Sequence, residues 1–154
     1  MNKLHLEVLE ENLEKLNLSV NWLQLSYNKA KAIKLNAPYT NDDFDTLEVL
    51  SSRFARTTDM LVNKVLRSID TLESEDIGTI IDIMNRAEKR KVVESAKLLH
   101  TIKDLRNSIV HEYQIEKIAA LFKDIVHLSP SLLGIVENIN NYCSKYFNEQ
   151  GKKD

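Results

Sequence analysis

The sequence predicts an all-α protein, an up-and-down bundle of five to six helices forming a single domain over 1–154. Three observations predict this. The 154 residues include only three Gly and two Pro, too little punctuation for the turns a sheet needs. Hydrophobic residues make up 43% and charged residues 29%, a balance that suits a folded globular chain rather than a disordered one. Apolar residues also recur at spacings of three and four along most of the length, the period of an amphipathic helix.

Leu6, Leu9, Leu13, Leu16, Val20, Leu23, Tyr27 and Ala30 predict one long first helix, with Leu18, Trp22 and Leu25 widening its apolar seam. Asn36-Ala37-Pro38-Tyr39 stops it, because a residue before proline is pushed out of the helical region. Thr40 or Asn41 caps a second helix, with Asp42 and Asp43 in its first turn and a face through Phe44, Leu47, Phe54, Leu61, Val65 and Ile69. Ser74 is the expected cap of a shorter third helix carrying Ile77, Ile80, Ile81 and Met84. A fourth runs from about Glu94 to Tyr113 on Leu98, Ile102, Leu105 and Ile109, and a fifth carries Ile115, Ile118, Phe122, Ile125 and Val126. Ser129-Pro130 reads as the start of the last helix, which continues through Leu132, Leu133, Val136, Ile139, Tyr142, Cys143 and Tyr146, with about 150–154 as a frayed tail.

The net charge of -2 and pI near 6.1 exclude a protein that coats nucleic acid through bulk positive charge, so any RNA contact must use a local patch. The basic run Arg86, Lys89, Arg90 and Lys91 is either such a phosphate contact or a solvated helix end favoured by the macrodipole. The single Cys143, in an apolar helical pattern, reads as a buried structural thiol. The first residues turn acidic without an apolar leader and no later stretch is apolar enough to span a bilayer, so no membrane partner and a cytoplasmic location are expected.

Arg106-Asn107-Ser108-Ile109-Val110-His111-Glu112-Tyr113 gathers a permanent cation, an amide, an imidazole and a phenol. On an ideal helix Asn107 and His111 lie one turn apart, opposite the apolar stripe, and His100 and Asp104 extend that polar line. By spacing alone the line reads as a solvated face rather than a site, and His100 with Asp104 is too small a set for a metal site, so no metal or other cofactor is expected. Arg106 sits at the border, about 140° round and about 7.5 Å along the axis from His111, so a second copy facing the first would complete a cleft. Tyr113 either packs at the bundle edge or swings free if the helix ends near His111. Metal-free RNA cleavage needs a base for the 2′-hydroxyl, an acid for the leaving 5′-oxygen and a cation for the phosphate. Imidazole, which titrates near neutral pH, and guanidinium supply these.

The segment Leu105–Tyr113 resembles the signature of HEPN domains, in particular HepT-like toxins, whose pattern is Arg, a polar residue, then His-x-Tyr, and no position of it departs from that pattern. Ser51-Ser52-Arg53-Phe54-Ala55-Arg56 is also similar to the long second helix of proteins paired with minimal nucleotidyltransferases. The resemblance implies a metal-independent endoribonuclease, the homodimeric toxin of a type VII-like toxin–antitoxin pair. It carries over Arg106 and His111 as catalytic, Asn107 as their polar helper, and Tyr113 as the residue to which a cognate nucleotidyltransferase transfers AMP. The family also contains non-catalytic partners of nucleotidyltransferases. The alternative is therefore a helical binding subunit with no chemistry of its own.

Overall fold

A computed structural model describes residues 2–151 apart from 37 and 77. Helix α1 (Lys3–Ala30) begins where the Asn2 side chain accepts the N–H groups of Leu4 and His5, at 2.9 and 3.2 Å. It buries Leu6, Leu9, Leu13, Leu16, Leu23 and Ala30. Leu18, Trp22 and Leu25 do not widen this seam; they are 62%, 54% and 52% exposed. An ideal helix sets them about 150° from the Leu9–Leu16–Leu23 line, on the side away from the bundle.

Helix α2 (Asn41–Asp59) starts at Thr40, whose hydroxyl and backbone exchange hydrogen bonds with Asp43 in a capping box. It continues through a π-helical segment, Met60–Leu66, into α3 (Arg67–Leu72). The expected face is buried throughout except for Phe44, which is half-buried edge-on to Tyr39 and Phe122. Leu61, Val62, Val65 and Leu66 of this segment all enter the core.

Ser74 does not cap the next helix. It adopts the left-handed conformation (φ 60°) and closes the end of α3, with its N–H bonded to the Thr71 carbonyl and that of Glu75 to the Asp70 carbonyl. Thr79 is the cap, boxed with Asp82, and α4 spans Ile80–Lys89. Ile77 lies outside the described residues, and Ile81 is exposed. Lys91 (φ 62°) closes α4 in the same left-handed way, its N–H reaching Glu88 and that of Val92 reaching Ala87.

Ser95 caps α5 (Ala96–His111), which is shorter at both ends than expected. Leu98 is only half-buried, and Leu99 takes its place in the core beside Ile102, Leu105 and Ile109. The predicted fifth helix is divided: α6 (Ile115–Ala119) is one short turn, and Phe122 and Ile125 open α7 (Phe122–Gly151). Ser129-Pro130 lies inside α7 rather than at a boundary. Ser129 is buried and its hydroxyl donates to the Ile125 carbonyl at 2.6 Å, while Pro130 is exposed. The α7 backbone runs to Gly151, and the rest of the expected frayed tail, 152–154, lies outside the described residues.

Side-chain bonds from Asn12 to Ser68, Ser19 to Thr57 and Arg53 to Ser26 set α1 antiparallel to the α2–α3 rod. Reciprocal amide bonds between Asn17 and Asn140 join α1 to α7. The architecture is an all-α bundle of about six helices, and among the described residues none is long and apolar enough to cross a membrane.

One polar knot interrupts the core. Asp70, with its side chain 6% exposed, takes Arg90 at 2.6 Å and Arg86 at 3.1 Å, while Glu73 takes Arg90 at 3.0 Å and the hydroxyls of Tyr142 and Tyr146. Burial pushes the Glu73 carboxyl up, but the bonds from Tyr142 and Tyr146, with Arg90, outweigh it and hold the carboxyl below its ordinary value of 4.5. Cys143 beside the knot is buried, as expected, and that burial, with Glu73 adding, pushes its thiol up to about 12, which leaves it unreactive. Because the folded form holds the Glu73 proton more weakly than the unfolded chain, its contribution is complete above pH 4.5 and is lost as pH falls through the depressed value. Glu73→Gln therefore flattens the acid limb of a urea-stability profile, and Asp70→Asn, which removes the carboxylate that Arg86 and Arg90 share but leaves them Glu75 and Glu73, costs about 1–3 kcal/mol at neutral pH.

Candidate functional site

The C-terminal end of α5 lies against the middle of α2. Ile109 is buried there and fixes the helix, while Val110, one residue on, is 43% exposed. Arg106, five residues before His111, turns inward toward α2 and meets Asp59, the last residue before the π segment. Its Nη2 donates to Asp59 Oδ2 at 2.8 Å, and its Nε lies 2.6 Å from Oδ1 as an ion-pair contact whose N–H is not aimed at that oxygen. The third nitrogen, Nη1, donates to the amide oxygen of Asn107 at 3.1 Å. Lys103, one turn earlier, places its ammonium 3.9 Å from the same Asp59.

The expected polar line divides accordingly. Arg106 and Asn107 are joined through their side chains and are both half-buried. His111 is exposed and is the last residue of α5. His100 and Asp104 are exposed and pair with each other at 3.3 Å, and among the described residues no third His, Cys, Asp or Glu joins them to make a metal-binding set. The helix ends at Glu112, whose backbone is extended (φ -92°, ψ 119°) and whose carboxylate accepts the Gln114 N–H at 3.1 Å. That turn throws Tyr113 outward at 89% exposure, the free arrangement of the two left open by the sequence.

An open groove of about 390 Å³ runs between α2, α5 and α6 beside this motif, lined by Glu48, Ser52, Arg56, Asp59, Val110 and Ile118. Arg56 is exposed and makes no ion pair among the described residues, so its guanidinium is available to an anion. The neighbouring Arg53 is committed to α1, stacking over the Trp22 ring at 4.9 Å and donating to Ser26 and to the Trp22 carbonyl.

The basic run after α4 divides in the same way. Arg86 and Arg90 are spent on Asp70 and Glu73, leaving Lys89 and Lys91 in solvent. Only these two of the four remain free to meet a phosphate.

Asp59 is the residue the sequence reading missed. It is 47 positions from Arg106, and its one sequence signal is the polar run Thr57-Thr58-Asp59 amid an otherwise apolar helix face. Both threonines prove fully buried. Chemically, the site is a guanidinium oriented from behind by a carboxylate, an amide held beside it, and an imidazole and a phenol facing outward. Compared with protein-family models, curated proteins and solved structures, the chain gives no match.

Asp59→Ala is expected to release Arg106 and to cost about 1–3 kcal/mol in urea unfolding, whereas Tyr113→Phe, at a fully exposed ring, leaves stability within about 0.5 kcal/mol.

Proposed function

We propose that this chain is a HEPN-like, metal-independent endoribonuclease toxin, acting as a homodimer with two copies of the Arg106–His111 motif in one cleft. The observation that carries the reading is the division of labour on α5: Arg106 is fixed by Asp59, while His111 and Tyr113 stand free at the helix end. One His111 takes the proton of the RNA 2′-hydroxyl, the 2′-oxygen attacks phosphorus, and the bond to the 5′-oxygen breaks. The second His111 returns a proton to that leaving oxygen. Arg106 keeps N–H groups for the phosphate, and Asn107, anchored to it, orients the approach. Arg56 on the groove wall supplies exposed positive charge for a flanking phosphate.

Tyr113 suits modification because nothing covers it. Attack of its phenol oxygen on the α-phosphorus of ATP, catalysed by a cognate nucleotidyltransferase, releases pyrophosphate and leaves AMP on the ring. The added negative charge and bulk then block RNA.

A second reading, a non-catalytic helical subunit of a nucleotidyltransferase, is favoured by the same Asp59 contact, since an arginine engaged across two helices also serves as a strut. Expression of the chain alone separates the two. The toxin arrests growth, and both His111→Ala and Arg106→Ala relieve the arrest, the former with unchanged thermal stability. A partner subunit is harmless in every form.

A further inference from the structure

The outer face of α1 carries a second pattern, distinct from its buried one. Leu4, Val8, Glu11, Lys15, Leu18, Trp22 and Leu25 follow one another at alternating spacings of four and three, a heptad seam. All seven are exposed: Leu4 at 64%, Val8 at 42%, and the side chains of Glu11 and Lys15 at 65% and 54%, alongside the open Leu18, Trp22 and Leu25. An isolated exposed leucine needs no explanation, but five large apolar groups in one line along a helix do. The seam is apolar at both ends and charged in the middle, where Glu11 and Lys15 pair at 3.1 Å.

We infer that this seam docks onto the same seam of a second copy of the chain, antiparallel, about a two-fold axis near Leu13. In that register Trp22 lies opposite Leu4 of the second copy, Leu18 opposite Val8, and Lys15 opposite Glu11, each pairing occurring twice by symmetry. Apolar meets apolar at both ends and the four central charges alternate in sign. A parallel pairing sets Glu11 against Glu11 and Lys15 against Lys15, and so is disfavoured by like-charge contact. Glu14, on the flank, faces its own copy near the axis, with both Lys15 ammonium groups beside it to offset the repulsion.

The area is sufficient. The exposed parts of these side chains come to on the order of 500 Å² per copy, so with their flanks the pair reaches the roughly 1,000 Å² that a specific interface requires. The cation–π contact of Arg53 with Trp22 holds the indole in place before docking, which lowers the ordering cost. This surface shares no residue with the α2–α5 groove, so it stands independently of the nuclease reading and is compatible with a motif-centred dimer.

Charge reversal tests it on the full chain. Glu11→Lys and Lys15→Glu each place like charges across the axis and weaken association roughly tenfold or more, whereas an equimolar mixture of the two restores the opposite-charge pairing and the wild-type mass. Both positions are exposed, so the variants keep the fold, which circular dichroism checks. Trp22 is the only tryptophan, and its emission is expected to shift to the red as the wild-type protein is diluted through its sedimentation transition. Leu18→Glu gives a second, apolar disruption with the same result expected. A mass unchanged by both reversals overturns the inference, as does a wild-type Trp22 emission that ignores concentration, or a mixture that fails to reassociate.

Discussion

The contact between Asp59 and Arg106 is the constraint on which the candidate site depends. It joins the C-terminal end of α2 to the last turns of α5, and it lies where the core gives way to solvent. Without it a long arginine beside two neighbouring cations has no reason to keep one rotamer. With it the guanidinium plane is set, Asn107 is drawn to its free edge, and α5 is held in register with its last residue, His111, at the surface. The π segment that begins immediately after Asp59 belongs to the same arrangement. It continues the rod past the ion pair, and that one continuous element packs against α1, α4, α5 and α7.

The cations of this chain divide between holding the fold and facing outward, and their division shapes the surface. Arg86 and Arg90 are drawn into the carboxylates of Asp70 and Glu73, Arg53 lies across Trp22 and Ser26, and Arg106 meets Asp59. Arg56, Lys89 and Lys91 remain outward. In a protein of net charge -2, local positive surface depends on which cations are left facing outward. In the groove beside Val110, Asp59 is already shared by Arg106 and Lys103, while Glu48 and Arg56 line it with opposite charges.

Much of the fold was legible because helix period and caps are local signals. The faces of α1 and of the α2–α3 rod, the Thr40 cap and the buried Cys143 follow from residues within a few positions of one another. The failures share a physical cause, which is competition between two local meanings of one residue. Ser74 has the chemistry of an N-cap but closes the preceding helix in a left-handed conformation, and Ser129-Pro130 has the chemistry of a helix start but lies within α7, its hydroxyl folded back on Ile125. Leu18, Trp22 and Leu25 fit a core pattern in the sequence because period alone cannot tell a face that meets its own bundle from one that does not. For the site, Arg106, Asn107, His111 and Tyr113 sit within eight residues and were visible as a motif. Asp59 was not, since a carboxylate that matters only through a partner 47 positions away leaves nothing in the local sequence that points to that partner.

Chemical analysis of the RNA ends produced by the purified chain in the presence of EDTA tests the central claim most directly. A site that uses the 2′-hydroxyl as nucleophile, with His111 moving the protons, leaves 2′,3′-cyclic phosphate or 3′-phosphate on one side of the cut and a free 5′-hydroxyl on the other. Fragments ending in 3′-hydroxyl, cleavage that persists in His111→Ala, or RNA left intact by a folded and freshly purified chain contradict it.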